Sequence, residues 1–303
     1  MHMRRAIVPG LLLAGLLTAA VAGSRAEQQR RSVAVQSMGV AENLYLVSGG
    51  GGHTAMLVTD DHGVVLVDTK NPGWGPAIFD AVGAVTDEPI TTIINTHQHG
   101  DHTGSNPHFS EVVRIVAHEN AGAGMAASEV FAGDNARFLP NETYRDTLSL
   151  FEGRDRIDLY HFGPAHTSGD TIVVFPALAT AHVGDLFPRK SAPFIDRANG
   201  GSGVAYPDTL DSALAGIADV QRVMPGHAPP PTGSPVRGWT TWDDFREYAA
   251  FTRDLLDAAR AAFEAGRSVD EAVAGLDLQP RYPDYDLSGT GRAVQAIYDE
   301  LSQ

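Results

Sequence analysis

Cysteine is absent from the 303 residues. That excludes disulfides, thiol nucleophiles, iron–sulfur clusters and any metal site with a thiolate ligand. Lysine is nearly absent, with Lys70 and Lys190 alone. Acidic residues outnumber Lys and Arg by 37 to 22, for a formal net charge of −15. Such a surface repels phosphate backbones and anionic lipid, so nucleic acid and membrane surfaces are poor partners. After the first 24 residues no apolar run reaches spanning length. What the chain does have is an apolar share of 43%, enough for a packed core in one large domain or two medium ones. It also has 12 histidines. With no thiol to offer, any transition metal must be held by imidazole and carboxylate.

The start reads as an address. Arg4 and Arg5 precede an uncharged stretch from Ala6 to Ser24, and small residues follow. A basic start, a short apolar run and a small-residue exit make a secretory signal peptide over residues 1–26, cleaved after Ala26 or Ala22. A membrane anchor is the competing reading, and Pro9, Gly10 and Gly15 in the apolar run argue against it. The expectation is a periplasmic or secreted protein with no stable membrane association after cleavage.

Hydrophobic patterning divides the rest into a body at 27–235 and a helical extension at 236–303. Strands are expected at Val33–Val35, Leu44–Val47, Thr54–Thr59, Val64–Asp68 and Ile90–Asn95, with a helix at Pro76–Val85. The second half repeats the theme. Strands are read at Asp155–His161, Thr171–Phe175, Ala179–Gly184 and Gln221–Met224, and a helix at Leu210–Val220. Strands in both halves with helices between them indicate a layered α/β protein. Ala228–Pro235 holds three consecutive prolines and cannot be regular structure. Beyond it, Thr241 and Asp244 can cap a helix whose apolar stripe is Trp242, Phe245, Ala249, Thr252, Leu256, Ala259 and Phe263. Such a stripe reads as a face docked on the body. Ser268 with Glu271 starts a further helix, and Gly291–Leu301 reads as the last.

The chemistry concentrates where Ile90–Asn95 runs into Thr96-His97-Gln98-His99-Gly100-Asp101-His102. A strand end followed by a tight loop lets alternate residues point one way. His97 and His99 can then grip one ion while Asp101 and His102 grip a second. Imidazole and carboxylate suit Zn²⁺, and Mn²⁺ or Fe fit the same donors. Further donors stand beside Gly or Pro at the ends of apolar stretches: His166, Asp185 and His227. There a rigid scaffold can aim a side chain without covering it.

From about Val33 to His227 the chain resembles the metallo-β-lactamase superfamily. The matching pieces are Val67-Asp68-Thr69, the motif from Thr96 to His102, Gly163-Pro-Ala-His166-Thr-Ser-Gly-Asp170, Gly184-Asp185 and Pro225-Gly226-His227. The resemblance implies a four-layer αββα sandwich with metals at one edge. It implies that His97, His99 and His166 hold one ion, that Asp101, His102 and His227 hold the other, and that Asp185 bridges them. The commonest β-lactamase subclass has Cys where this chain has Asp185. A bridging Asp looks more like lactonases, glyoxalase II-type thioesterases and phosphodiesterase-type relatives. The Gly-rich start, export signal and C-terminal helices resemble exported members of the superfamily.

The implied activity is hydrolysis of a small ester, lactone, thioester or amide by two Zn²⁺ ions. Two cations sharing one water lower its pKa toward neutrality and polarise the bond under attack. Asp101 would orient the nucleophile and relay its proton. Asp68 would accept a proton from a ligating imidazole and fix its tautomer. Arg189 and Lys190 are candidates for a substrate carboxylate, and Asn199 for an oxyanion. His53 reads as a turn residue, His62 and His108 as surface residues, and His118, His161 and His182 as strand-end residues. Two other activities compete with this reading: periplasmic β-lactam hydrolysis, and a non-hydrolytic metal-binding or redox role.

Overall fold

The structure is a computed structural model and describes residues 31–39, 43–112, 114–227 and 238–303. Residues 1–26, expected to be a signal peptide, and the triple-proline segment both lie outside the described residues. Two sheets carry the architecture. The first has β1 (Ala34–Ser37), β2 (Leu44–Ser48), β3 (Thr54–Val58), β4 (Val64–Val67), β5 (Ile90–Asn95), β6 (Arg114–His118) and β7 (Glu142–Tyr144), in that spatial order. The second has β8 (Thr147–Leu150), β9 (Ile157–Tyr160), β10 (Ile172–Phe175), β11 (Thr180–His182), β12 (Arg222–Met224) and β13 (Thr240–Thr241), also in order. β1 to β4 form antiparallel neighbours, and β4 to β7 run parallel.

Period-two alternation decides which residues meet. On β2, Leu44 and Leu46 face the second sheet; on β5, Ile94 does the same while Ile93 faces outward. From the other sheet Leu150, Ile157, Leu159, Val173, Phe175 and Met224 complete that inner layer. Outside the first sheet lie α1 (Gly75–Gly83) and α3 (Glu119–Ala126), which contribute Ile78, Val82 and Met125. Outside the second lie α4 (Tyr206–Gly216), α5 (Trp242–Glu264) and α7 (Thr290–Leu301), with the short α6 (Val269–Ala274) beside them. The result is the αββα sandwich.

The tail is part of the fold. α5 opens with a capping box in which Thr241 and Asp244 satisfy each other's backbone amides. Its buried face is wider than the sequence stripe, because Tyr248, Phe251, Leu255 and Ala262 are also buried. Two helical surfaces cover it at once, α4 and α7, so a single seam does not suffice. Ser268 and Glu271 form a second capping box at α6.

Some elements differ from the sequence reading. α4 starts earlier than Leu210 because Pro207 occupies the first turn, where its missing N–H costs nothing. It ends at Gly216 instead of Val220. The strands β6, β7 and β8 and the helix α3 had no sequence assignment. β7 and β8 are short and carry exposed polar residues, so their periodicity is weak.

Candidate metal centre

The donors gather at one edge because of strand direction. β4 and β5 run parallel, so Asp68 and the His97–His102 segment leave the same end of the first sheet. β11 and β12 also run parallel, so Asp185 and His227 leave the same end of the second. The two edges touch: the His53 amide donates to Gly226 O at 2.7 Å, and His53 Nδ1 lies 2.8 Å from Pro225 O. Asp101 and His102 sit on α2 (Gly100–Thr103), a single turn.

Two groups result. His97, His99, His166 and Asp185 form one, and Asp101, His102 and His227 form the other. Asp185 faces both. Its Oδ1 lies 3.4 Å from His102 Nε2 and 3.3 Å from His227 Nε2, while Oδ2 lies 3.6 Å from His166 Nε2. Asp101 Oδ2 lies 3.4 Å from His227 Nε2, with a third of that side chain exposed. Backbone approach is as tight as it can be. A Cβ on Gly52 would sit 2.2 Å from His102 Cε1, and one on Gly226 would sit 2.0 Å from Asp185 Oδ1.

Proton bookkeeping tests whether cations fit. His166 Nδ1 donates to Phe194 O at 2.7 Å, since a carbonyl only accepts. His99 Nε2 donates to Asp196 at 2.7 Å. With both rings neutral, the remaining nitrogens, His166 Nε2 and His99 Nδ1, are both acceptors 3.0 Å apart, a contact that only a proton or a metal cation between them relieves. Thr96 gives its hydroxyl proton to Asp68 at 2.7 Å, so its oxygen accepts from His97 Nδ1 at 3.1 Å. That leaves His97 Nε2 as a lone pair, buried and without a partner. His102 Nδ1 donates to Asp68 at 2.7 Å, which turns its Nε2 toward Asp185. Lone pairs and carboxylate oxygens converging in a buried space demand positive charge. The donor set fits a divalent cation bound by nitrogen and oxygen.

Electrostatics agree. Burial pushes the His97 imidazole well below its usual range, and neighbouring His102 and His166 add to this. Burial also lowers His166. Both are thus neutral, as ligands must be. His102 is held well above its usual range: burial opposes this, but Asp185 and Asp68 outweigh it. Asp185 is held well below the carboxylate range, again against burial, by His102 and His227. A metal would have to displace the proton that His102 otherwise keeps.

The other candidates are placed as follows. Asp68 is fully buried and also accepts from the Thr96 amide. Lys190 turns away from the metal-binding residues and pairs with Asp244 and Glu247 on α5 at 2.9 and 2.8 Å, which makes it a pin for the tail. The Asn199 side-chain amide donates to Asp196 at 2.7 Å and is spent there. Arg189 is exposed. His53 and His182 are fully buried behind the site, deeper than a turn or strand-end residue needs. A cavity of about 710 Å³ lies elsewhere, between α1 and residues 108–112, and none of the seven His and Asp donors lines it.

Sequence reasoning missed three supports. Asp196 orients His99, and no spacing rule ties residues 97 apart. Lys70 is fully buried, and its ammonium donates to Val47 O and Gly52 O at 2.8 Å each. Burial pushes it down to about 7, with Asp68 opposing. It ties the glycine run to the strand beneath. The scarcity of lysine was the available signal. A third support comes from α7: Glu300 accepts from the Gly203 and Val204 amides at 3.0 and 3.3 Å and lies 3.3 Å from Arg197. It thereby braces the loop that carries Asp196.

An αββα sandwich whose strand ends aim imidazoles and carboxylates at one edge is a metallohydrolase-type fold with a His/Asp cluster that could hold a divalent metal. The sequence model of the metallo-beta-lactamase superfamily matches residues 48–241, and the chain belongs to that superfamily. Metallo-beta-lactamase domain-containing protein 1 of Homo sapiens is 29% identical over 190 residues, 60% of this chain and 64% of that protein. Its Mus musculus counterpart is 34% identical over 190 residues, covering 60% and 66%. This chain thus spans just under two-thirds of the length of these relatives. Among solved structures, a metallo-beta-lactamase from Pontibacter korlensis superposes with a TM-score of 0.60 at 15% identity, covering 73% of this chain and 99% of the other. The stereoselective inverting sec-alkylsulfatase Pisa1 from Pseudomonas sp. superposes with a TM-score of 0.67 at 15% identity, covering 88% and 50%. At such identities these structures attest the fold.

Proposed function

We propose that this chain is a hydrolase that holds two divalent cations, zinc first among them, and cleaves a small ester, lactone, thioester or amide. The observation that carries the reading is the convergence of imidazole nitrogens on both sides of Asp185, whose two oxygens face different donor groups. His97, His99 and His166 would hold one cation, and Asp101, His102 and His227 the other. Bound there, two cations supply an acidified water and a polarised substrate oxygen. The chain's own residues do the rest. Asp185 offsets part of the cationic charge. Asp101, the more exposed carboxylate, orients the water and takes up its proton. Asp68 and Asp196 hold the ring orientations of His102 and His99.

Export belongs to the same proposal: residues 1–26 are removed on secretion, and the protein works in the periplasm or outside the cell. N-terminal sequencing of protein from its native host should begin near Glu27 or Gly23. An intact Met1 form in the cytosol would contradict it. For the chemistry, the test is metal content together with hydrolysis of lactones, thioesters, phosphodiesters and β-lactams. About two zinc per chain is expected, with His99→Ala and His227→Ala each losing about one metal and most turnover. Full activity with one metal or fewer per chain would sink the binuclear reading.

A further inference from the structure

Three large apolar side chains are exposed among the described residues: Val35, Phe79 and Phe194. Val35 lies on the edge strand β1 and Phe79 on α1, both away from the donor residues. Phe194 is different. Its ring centroid lies 5.6 Å from that of His166 and 6.2 Å from that of His99, and it is 47% exposed. Its carbonyl accepts from His166 Nδ1, so the backbone that carries the ring is tied to the donors. An apolar ring fixed beside ligating imidazoles and left open is a contact surface for a small molecule.

A cation also lies against the ring. The Arg292 guanidinium lies 5.7 Å from the Phe194 centroid. Arg292 is exposed and makes no ion pair among the described residues. Of the two cations that follow Asp185, Lys190 is neutralised on α5 by Asp244 and Glu247, while Arg189 is exposed. Arg292 is held in place because the loop carrying Phe194 and the segment leading into α7 are joined: the Ala192 amide donates to Asp286 O at 3.0 Å, and Gly289 packs on Ala192. The phenyl ring thus has the imidazoles of His99 and His166 and the Arg292 guanidinium all within 6.2 Å of its centroid. Arg292 also lies beyond residues 48–241, the stretch matched by the superfamily model. This half of the rim is an addition by the C-terminal helices.

We propose that Phe194 and Arg292 form a substrate subsite for a flat apolar group that carries an anion, carboxylate or sulfonate, one ring-width from the bond to be cleaved. The proposal rests on the hydrolase reading of the same site. The ring packs on Phe194, and the anion pairs with Arg292, whose planar fork suits two oxygens. In a molecule of net charge −15 one free arginine is also the local attractor that an anionic substrate needs.

The experiment uses the zinc-loaded chain and a matched pair of esters, 4-acetoxybenzoate and its methyl ester, with calorimetric binding of their phenolic products in parallel. Wild type should favour the anionic ester and bind 4-hydroxybenzoate more tightly than methyl 4-hydroxybenzoate. Arg292→Ala should raise KM for the anionic ester about three- to fivefold, as loss of one partly exposed ion pair implies. Its kcat, and both constants for the methyl ester, should stay put. Arg292→Lys should recover most of the preference, which a merely structural role would not show. Phe194→Leu, which keeps the carbonyl bond to His166, should raise KM for both esters alike. If both esters are cleaved and Arg292→Ala leaves their ratio unchanged, the subsite is wrong and the hydrolase reading stands. If neither is cleaved but 4-hydroxybenzoate binding still depends on Arg292, the subsite stands and the hydrolase reading is decided by the lactone, thioester, phosphodiester and β-lactam panel. Absence of cleavage together with binding indifferent to Arg292 would overturn the subsite.

Discussion

Removing the Asp196 carboxylate should weaken metal binding without touching any donor atom. Asp196 Oδ2 lies 2.7 Å from His99 Nε2, and the two side chains are only 14% and 21% exposed. The contact leaves His99 Nδ1 as the lone pair that faces His166 Nε2. Hydrogen bonds from Asn199 and His99 hold the carboxyl below its usual range against burial, so it stays charged at neutral pH. Asp196→Ala frees the His99 ring to rotate and to exchange tautomers. Loss of such an outer partner costs about 10–100-fold in metal affinity, or roughly 1.4–2.7 kcal/mol. Asp196→Asn keeps an acceptor and loses the charge, so it should fall between wild type and the alanine variant. Asp196 also accepts from the Asn199 amide and side chain, so loop loosening is a rival explanation. Asn199→Ala removes the side-chain contact and leaves the His99 bond, and it should change affinity much less. The assay is competition with a chelator of known zinc affinity, read by absorbance and checked by elemental analysis. An Asp196→Ala protein whose weaker site binds within twofold of wild type would refute the reasoning.

Other consequences are testable in the same preparation. Asp185→Asn keeps the shape but loses the charge facing both donor groups; the second metal should be lost and turnover should fall on the order of 10²-fold at neutral pH, as elemental analysis and rate measurements will show. Glu300→Ala unbraces the loop carrying Asp196 and should weaken one of the two metal sites severalfold with little change in helicity by circular dichroism. His53 and His182 are fully buried, mainly by that burial pushed to about 3 and about 4. Their folded values lie below the unfolded 6.5, so the unfolded chain binds more protons and stability falls as pH drops from 6.5 toward about 4, by up to about 1.4 kcal/mol per pH unit for each. Urea unfolding of chelator-treated protein should show this slope, and His182→Gln should reduce it. Phe251→Ala on α5 empties a site packed by Tyr248, Tyr282 and Tyr285 and should cost about 3–5 kcal/mol in the same assay; a loss under 1 kcal/mol would mean that the tail does not fold with the body.

Much was legible in the residues themselves because the signals are local. A strand running into Thr96–His102 shows as β-branched residues followed at once by donors. The starts of α5 and α6 show as Thr241/Asp244 and Ser268/Glu271, since a capping box is a four-residue device. His166, Asp185 and His227 stand out by chemistry and by their Gly and Pro neighbours, though their grouping was assigned by resemblance. Chain folding alone decided what depends on distant partners. It spent Lys190 on α5 and Asn199 on Asp196, because a cation or amide goes to whichever carboxylate the packing brings within reach. It made Lys70 a buried tie and set His53 and His182 behind the site, where short-range patterns carry no information about depth. It joined Asp196 to His99 across 97 residues, and it laid Arg292 against Phe194 through helices that the body's motifs do not contain. The chain order of the donors could therefore be read from the sequence, while the supports and the substrate-facing rim arise from contacts that only the closed sandwich and its docked tail create.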